Sequence, residues 1–118
     1  MHQDRLLKLT STLKRRQSDL TVLMDRVHKA HNLSAILRNC DAVGVFEIHA
    51  VAPERGLKIH DHTSAGTDKW VKVVQHAGIQ NAAEVLKDRG FRLLGAHPGP
   101  GATDFREVDY TQPTAIMM

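Results

Sequence analysis

A chain of 118 residues, 42% hydrophobic and 25% charged, reads as one domain with a modest core. Aromatic residues make up only 4%, which argues against base stacking as the main contact with any nucleic acid. One cysteine, Cys40, excludes an internal disulfide framework and fits a reducing, cytoplasmic compartment. No apolar run approaches a membrane span, and the N-terminus lacks the apolar centre of a signal peptide. The net charge of +3 is mild, but Arg5, Lys8, Lys14, Arg15 and Arg16 gather at the start against Asp4 alone. Such a cluster attracts a polyanion and contributes phosphate contacts; a solvated helix face has the same composition.

Residues 4–16 set Leu6, Leu7, Leu9 and Leu13 among the basic residues, the pattern of an amphipathic helix. Gln17-Ser18-Asp19 interrupts it, and the apolar run from Leu20 to Met24 predicts a buried strand. Leu33, Ile36, Leu37, Cys40 and Val43 recur at helical spacing, predicting a helix from Asn32, as N-cap, to Val43, with Gly44 as its terminating glycine. Val45–Val51 is a second strand, and Pro53–Lys69 a long polar loop. Trp70–Val74 is a third strand. A helix over Ile79–Arg89 turns Ala82, Ala83, Val85 and Leu86 inward and stops at Gly90. Phe91–Ala96 is a strand ending in the His97-Pro98-Gly99-Pro100-Gly101 turn, and Thr114–Met118 is a last apolar run. Strands alternating with helices predict an open, Rossmann-like α/β fold with a mostly parallel sheet. A final strand with no helix after it is either a short edge strand or a sign that the chain is part of a longer one; the pattern favours the second.

The polar residues that stand out are Asn32 and Arg38. Six residues apart on a helix, they point about 120° apart, on one broad face near the helix start. In open parallel sheets ligands bind beside the C-terminal ends of the strands, where such helices begin. An arginine fork matches two phosphate oxygens, and a helix N-terminus favours anions. Taken alone, the pair also reads as a helix cap and a surface arginine. His28 and His31 flank the same helix start and suit either substrate contact or a loop role. His60-Asp61-His62 is too sparse for a structural metal site, so none is expected. Cys40 lies on the apolar stripe and reads as core, not nucleophile. Neither a P-loop nor a dinucleotide fingerprint is present.

Val27-His28-Lys29-Ala30-His31-Asn32-Leu33-Ser34-Ala35-Ile36-Leu37-Arg38-Asn39-Cys40-Asp41-Ala42-Val43-Gly44 strongly resembles the first motif of the SpoU (TrmH) 2′-O-ribose methyltransferases of the SPOUT superfamily. Arg15-Arg16-Gln17-Ser18-Asp19-Leu20-Thr21-Val22 resembles the junction of basic helix and first strand in the tRNA guanosine members. Ser64-Ala65-Gly66-Thr67-Asp68-Lys69-Trp70-Val71 resembles their next glycine-containing loop, and residues 104–115 resemble the segment before their cofactor half. The resemblance implies methyl transfer from S-adenosylmethionine to a ribose 2′-hydroxyl of tRNA, at a D-loop guanosine, by a cytoplasmic homodimer. It casts Arg38 and Asn32 as catalytic. Arg5, Lys8, Arg15, Arg16 and His31 become RNA contacts, while Ala96 and His97 approach the cofactor. A guanidinium ordinarily loses its proton only above about 12, so an arginine here either acts while transiently neutral or fixes phosphate and hydroxyl together. Ala30 stands where the family often has proline. The implied organisation is a basic N-terminal helix over residues 1–19 and the first part of a SPOUT domain over residues 20–118. The C-terminal trefoil-knot half, with most of the cofactor pocket, is then absent from these residues, and the chain alone is expected to be inactive. A non-enzymatic RNA-binding module is the alternative.

Overall fold

The computed structural model describes residues 2–27, 29–52 and 71–118. Five parallel strands form one open sheet in the order β3-β2-β1-β5-β4: β1 (Leu20–Asp25), β2 (Glu47–Val51), β3 (Lys72–His76), β4 (Arg92–Gly95) and β5 (Thr114–Met117). The α-helices among the described residues are α1 (Gln3–Lys14), α2 (Ala30–Val43) and α3 (Ile79–Asp88). The α/β class with a parallel sheet is as the alternation of elements predicts. The Pro53–Lys69 loop, Trp70 and the His60-Asp61-His62 triplet lie outside the described residues.

Strand β1 is central because its run from Thr21 to Met24 is buried on both faces. Val22 and Met24 meet Leu33, Leu37 and Cys40 of α2, together with Val45, Ile48, Ala50 and Val71. Leu23 meets Ala82 and Leu86 of α3, with Val51 and Ala115, on the other face. Burial pushes the Cys40 thiol up to about 11, as suits a core side chain rather than a nucleophile. The last strand is not at an edge. Leu20 to Leu23 pair with Thr114 to Met117, and the same β5 residues pair with Arg92 to Gly95, so β3 and β4 form the edges. Thr114 and Ala115 are fully buried because neighbours flank them on both sides.

Helix α2 begins three residues earlier than the Asn32 cap predicts. Lys29 is the capping position, its carbonyl accepting from the Leu33 amide at 3.1 Å, and Asn32 falls within the first turn. The helix ends as predicted. Gly44 adopts φ +83°, and its amide and that of Val45 return to the carbonyls of Asp41 and Cys40.

This glycine also receives the N-terminal segment. The Gln17 amide donates to the Gly44 carbonyl at 2.6 Å, the Phe46 amide to the Gln17 carbonyl at 3.3 Å, and Gln17 bridges Val45 in parallel. A Cβ on Gly44 would lie 2.7 Å from the Arg15 carbonyl oxygen. Gly44→Ala therefore meets both a left-handed backbone and a backbone clash. It should destabilise the chain by about 1–3 kcal/mol in urea unfolding; a change below about 0.5 kcal/mol would contradict this packing.

Candidate active site

The C-terminal ends of β1, β2, β4 and β5 come together where the Asp25 amide donates to the Met118 carbonyl and the Ala96 amide to the Met117 carbonyl. Helix α2 starts at this edge because its apolar stripe must follow β1 back across the sheet. Leu33, Leu37 and Cys40 face inward, which turns Asn32, Arg38 and Asn39 to water. His31 is exposed beside them. The side chains of Asn32, His31 and Arg38 bond to no other described residue; His31 and Asn32 lie in the first turn of α2 at this edge, and Arg38 stands about two turns further along the helix. Of the two flanking histidines, His28 lies outside the described residues.

Arg26, which the motif reading passed over, closes β1 with φ +57°, unusual for a side-chain-bearing residue. Its amide is held by the Val51 carbonyl at 3.1 Å and its side chain is exposed. Backbone held in such a conformation gathers at ligand sites. Only the fold could show it, since nothing in the residue type announces a left-handed turn.

Ala96 and His97 leave β4 at the same edge, both exposed. They line an open groove of about 880 Å³ with Leu94 and Ile116 at its base and Phe105 and Tyr110 on its rim. The rim is shaped by local bonds. Asp104 accepts from the Arg106 amide at 2.9 Å and pairs with its guanidinium at 2.7 Å, and the Tyr110 hydroxyl donates to the Phe105 carbonyl at 2.8 Å. The groove opens at the edge where parallel sheets of this kind take small-molecule ligands, and its base is apolar.

Helix α1 carries Arg5, Lys8, Lys14 and Arg15 in the open, with no buried residue of its own; Leu6, Leu7 and Leu13 are more than half exposed. Arg15 donates to the Ser11 hydroxyl at 3.0 Å and remains exposed. Arg16 differs. Its side chain is 7% exposed and paired with the Asp41 carboxylate of α2.

A family model described as the SpoU rRNA methylase family matches residues 19–118. The tRNA (guanosine(18)-2′-O)-methyltransferase of Thermus thermophilus is 52% identical over 110 residues, which cover 93% of this chain and 57% of that protein. The Escherichia coli K12 protein of the same name is 47% identical over 118 residues, all of this chain and 52% of that one. The chain thus spans about half the length of the curated relatives it matches. The crystal structure of the Aquifex aeolicus TrmH/SpoU tRNA modifying enzyme superposes with a TM-score of 0.89 at 37% identity, over 97% of this chain and 58% of that one. The Streptomyces viridochromogenes SpoU methyltransferase AviRb, solved with the cofactor AdoMet, shares the fold at a TM-score of 0.71 and 23% identity.

One polar cluster on the α3 face of the sheet has no counterpart in the motif reading. Glu47 and His49 alternate inward along β2, and His49 is 1% exposed. Its Nε2 lies 2.8 Å from Glu47 Oε1, and its Nδ1 2.8 Å from His76 Nε2. Arg89 bonds Glu47 Oε1 at 2.7 Å, and the Thr21 hydroxyl donates to the Glu47 carbonyl at 2.6 Å. A carboxylate only accepts, so His49 carries its proton on Nε2 and accepts from His76 through Nδ1. The signal was Glu-x-His at strand spacing, which composition alone does not separate from solvent-facing polarity.

Burial, followed by the charges of His76 and Arg89, holds His49 below its ordinary 6.5, against the pull of Glu47. The unfolded chain therefore takes up the proton first. Stability should be full above about pH 6.5 and fall as the pH drops through and below that value. Urea midpoints between about pH 7.5 and 5 should decline, and His49→Leu should flatten that decline. An unchanged slope in the variant would remove His49 as its cause.

Proposed function

This chain belongs to the SpoU rRNA methylase family, and on that footing we propose that it supplies the RNA-docking half of a tRNA guanosine 2′-O-ribose methyltransferase. The observation that carries the reading is the open Asn32–Arg38 face of α2 at the ligand edge of the sheet, with the cations of α1 next to it in sequence. The name of the relatives, tRNA (guanosine(18)-2′-O)-methyltransferase, supports a D-loop guanosine as the target nucleoside.

In this reading Arg5, Lys8 and Arg15 hold the tRNA backbone, and His31 meets the nucleotide near the start of α2. Arg38 presents its fork to the phosphate beside the target ribose, and Asn32 orients the 2′-hydroxyl through its side-chain amide. Among the described residues no carboxylate is paired with Arg38, so its charge stays available to draw that hydroxyl and phosphate into one geometry. S-adenosylmethionine, when bound, supplies the electrophilic methyl group. Ala96 and His97 would flank it in the groove after β4, with Leu94 and Ile116 giving the apolar floor. No described helix is long and apolar enough to cross a membrane. We take an enzyme of the relatives' full length to act in the cytoplasm as a homodimer.

Binding of tRNA by the 118-residue chain should depend steeply on salt. Three or four neutralised phosphates predict a log–log slope of roughly −2 to −4, or about 16- to 250-fold between 50 and 200 mM. Replacing Arg5, Lys8 and Arg15 together by Ala should remove most of that slope. A salt-independent isotherm would overturn the reading. Transfer of labelled methyl from S-adenosylmethionine to tRNA by these 118 residues alone should stay at background. Turnover above background would show that they already hold the whole cofactor site.

A further inference from the structure

Arg16 belongs by sequence to the basic cluster of the N-terminal helix, but its surroundings set it apart. Arg5, Lys8, Lys14 and Arg15 are exposed, whereas the Arg16 guanidinium is turned into the body of the protein. There it pairs with the Asp41 carboxylate through Nη2. Its Nη1 donates to the Asp41 carbonyl at 3.1 Å and approaches the Val45 carbonyl at 3.5 Å. Asp41 and Val45 belong to the last turn of α2 and the residue after its terminating glycine. A cation there gives the Asp41 carbonyl a second donor beside the Gly44 amide and meets the negative end of the helix dipole.

Two consequences follow from that position. Helix α1 has no fully buried residue, and the backbone bonds of Gln17 to Gly44 and Phe46, with the Arg16 side chain, tie the segment that follows it to α2. Asp41 also stands three residues after Arg38, where the two would otherwise be helix neighbours able to pair. Because Asp41 is held by Arg16, the Arg38 fork is left open. We propose that Arg16 is a positioning residue, not a phosphate contact: it registers the basic helix against α2 and keeps Asp41 away from Arg38. The proposal rests on the RNA reading above, since it says how two parts of that surface are held together.

A charge swap separates the two roles. Asp41→Arg raises the net charge by two, so phosphate attraction alone predicts tighter tRNA binding, whereas loss of the clamp predicts weaker binding. We expect Arg16→Asp and Asp41→Arg each to weaken tRNA binding about tenfold or more. The double variant, Arg16→Asp with Asp41→Arg, keeps the wild-type net charge and should return to within about threefold. Amide exchange at Gln17 and Phe46 should follow the same pattern without any RNA: faster in each single variant, restored in the double.

Tighter binding by Asp41→Arg, or a double variant as weak as Arg16→Asp, would overturn the proposal. Should the reversals fail to fold, Arg16→Lys decides. It keeps the charge a phosphate needs but loses the fork, so weakened binding and faster exchange support the clamp, and wild-type values for both overturn it. A wild-type chain that does not bind tRNA would overturn the functional reading and leave amide exchange to decide the clamp.

Discussion

A guanidinium withdrawn from water ties the two functional parts of this chain together. Arg16 closes the last turn of α2 by bonding its carbonyls and the carboxylate that it carries. Buried ion pairs of this kind contribute little net stability, because desolvation offsets most of the attraction. What they fix is geometry: a partner lost leaves a charge stranded, so alternative arrangements are costly. Gly44 makes the approach possible, since any side chain there would strike the Arg15 carbonyl. The end of one helix is thus tied to the segment that follows another, and in the proposed clamp that tie sets the orientation of the basic helix.

The start of the same helix has the opposite character. Asn32, in the first turn, and Arg38, two turns further along, are turned outward by the inward pull of Leu33, Leu37 and Cys40. Helix α2 therefore spans the molecule from an open polar face to a sealed ionic one. The parallel sheet brings the groove behind Ala96 and His97 to the same edge, so surfaces that suit an RNA backbone and a nucleoside-sized ligand share one side. On the opposite face of the sheet, the Glu47–His49–His76 chain joins β2 to the edge strand β3. Among the described residues that edge has backbone pairing on one side only, and the imidazole contact adds a side-chain tie.

Much of the architecture was legible because local pattern and burial agree. The uninterrupted apolar run of β1 announces a strand covered on both faces, and Gly44 announces the end of α2. Strand order was not legible, because Thr114-Ala115-Ile116-Met117 reads the same at an edge as at the centre; only pairing with both Leu20–Leu23 and Arg92–Gly95 makes it interior. Asn32 has the chemistry of a cap, yet the first helical bond reaches back to Lys29 and carries the helix past it. The family motif singled out Asn32 and Arg38; residue type and spacing alone read as well as a helix cap and a surface arginine. Arg16 shows the limit of that approach. A basic residue in a basic run looks like its neighbours until the fold turns it inward.

Spin labels placed on the two helices test the mooring most directly. Cysteines at Leu7 and Asn39, both exposed, can be labelled in a Cys40→Ala background, and the distance distribution between them measured by pulsed electron resonance. A narrow distribution with Arg16 present, broadened by Arg16→Ala, is the result expected of a basic helix registered on α2 through that guanidinium. Equal widths with and without the guanidinium would contradict it.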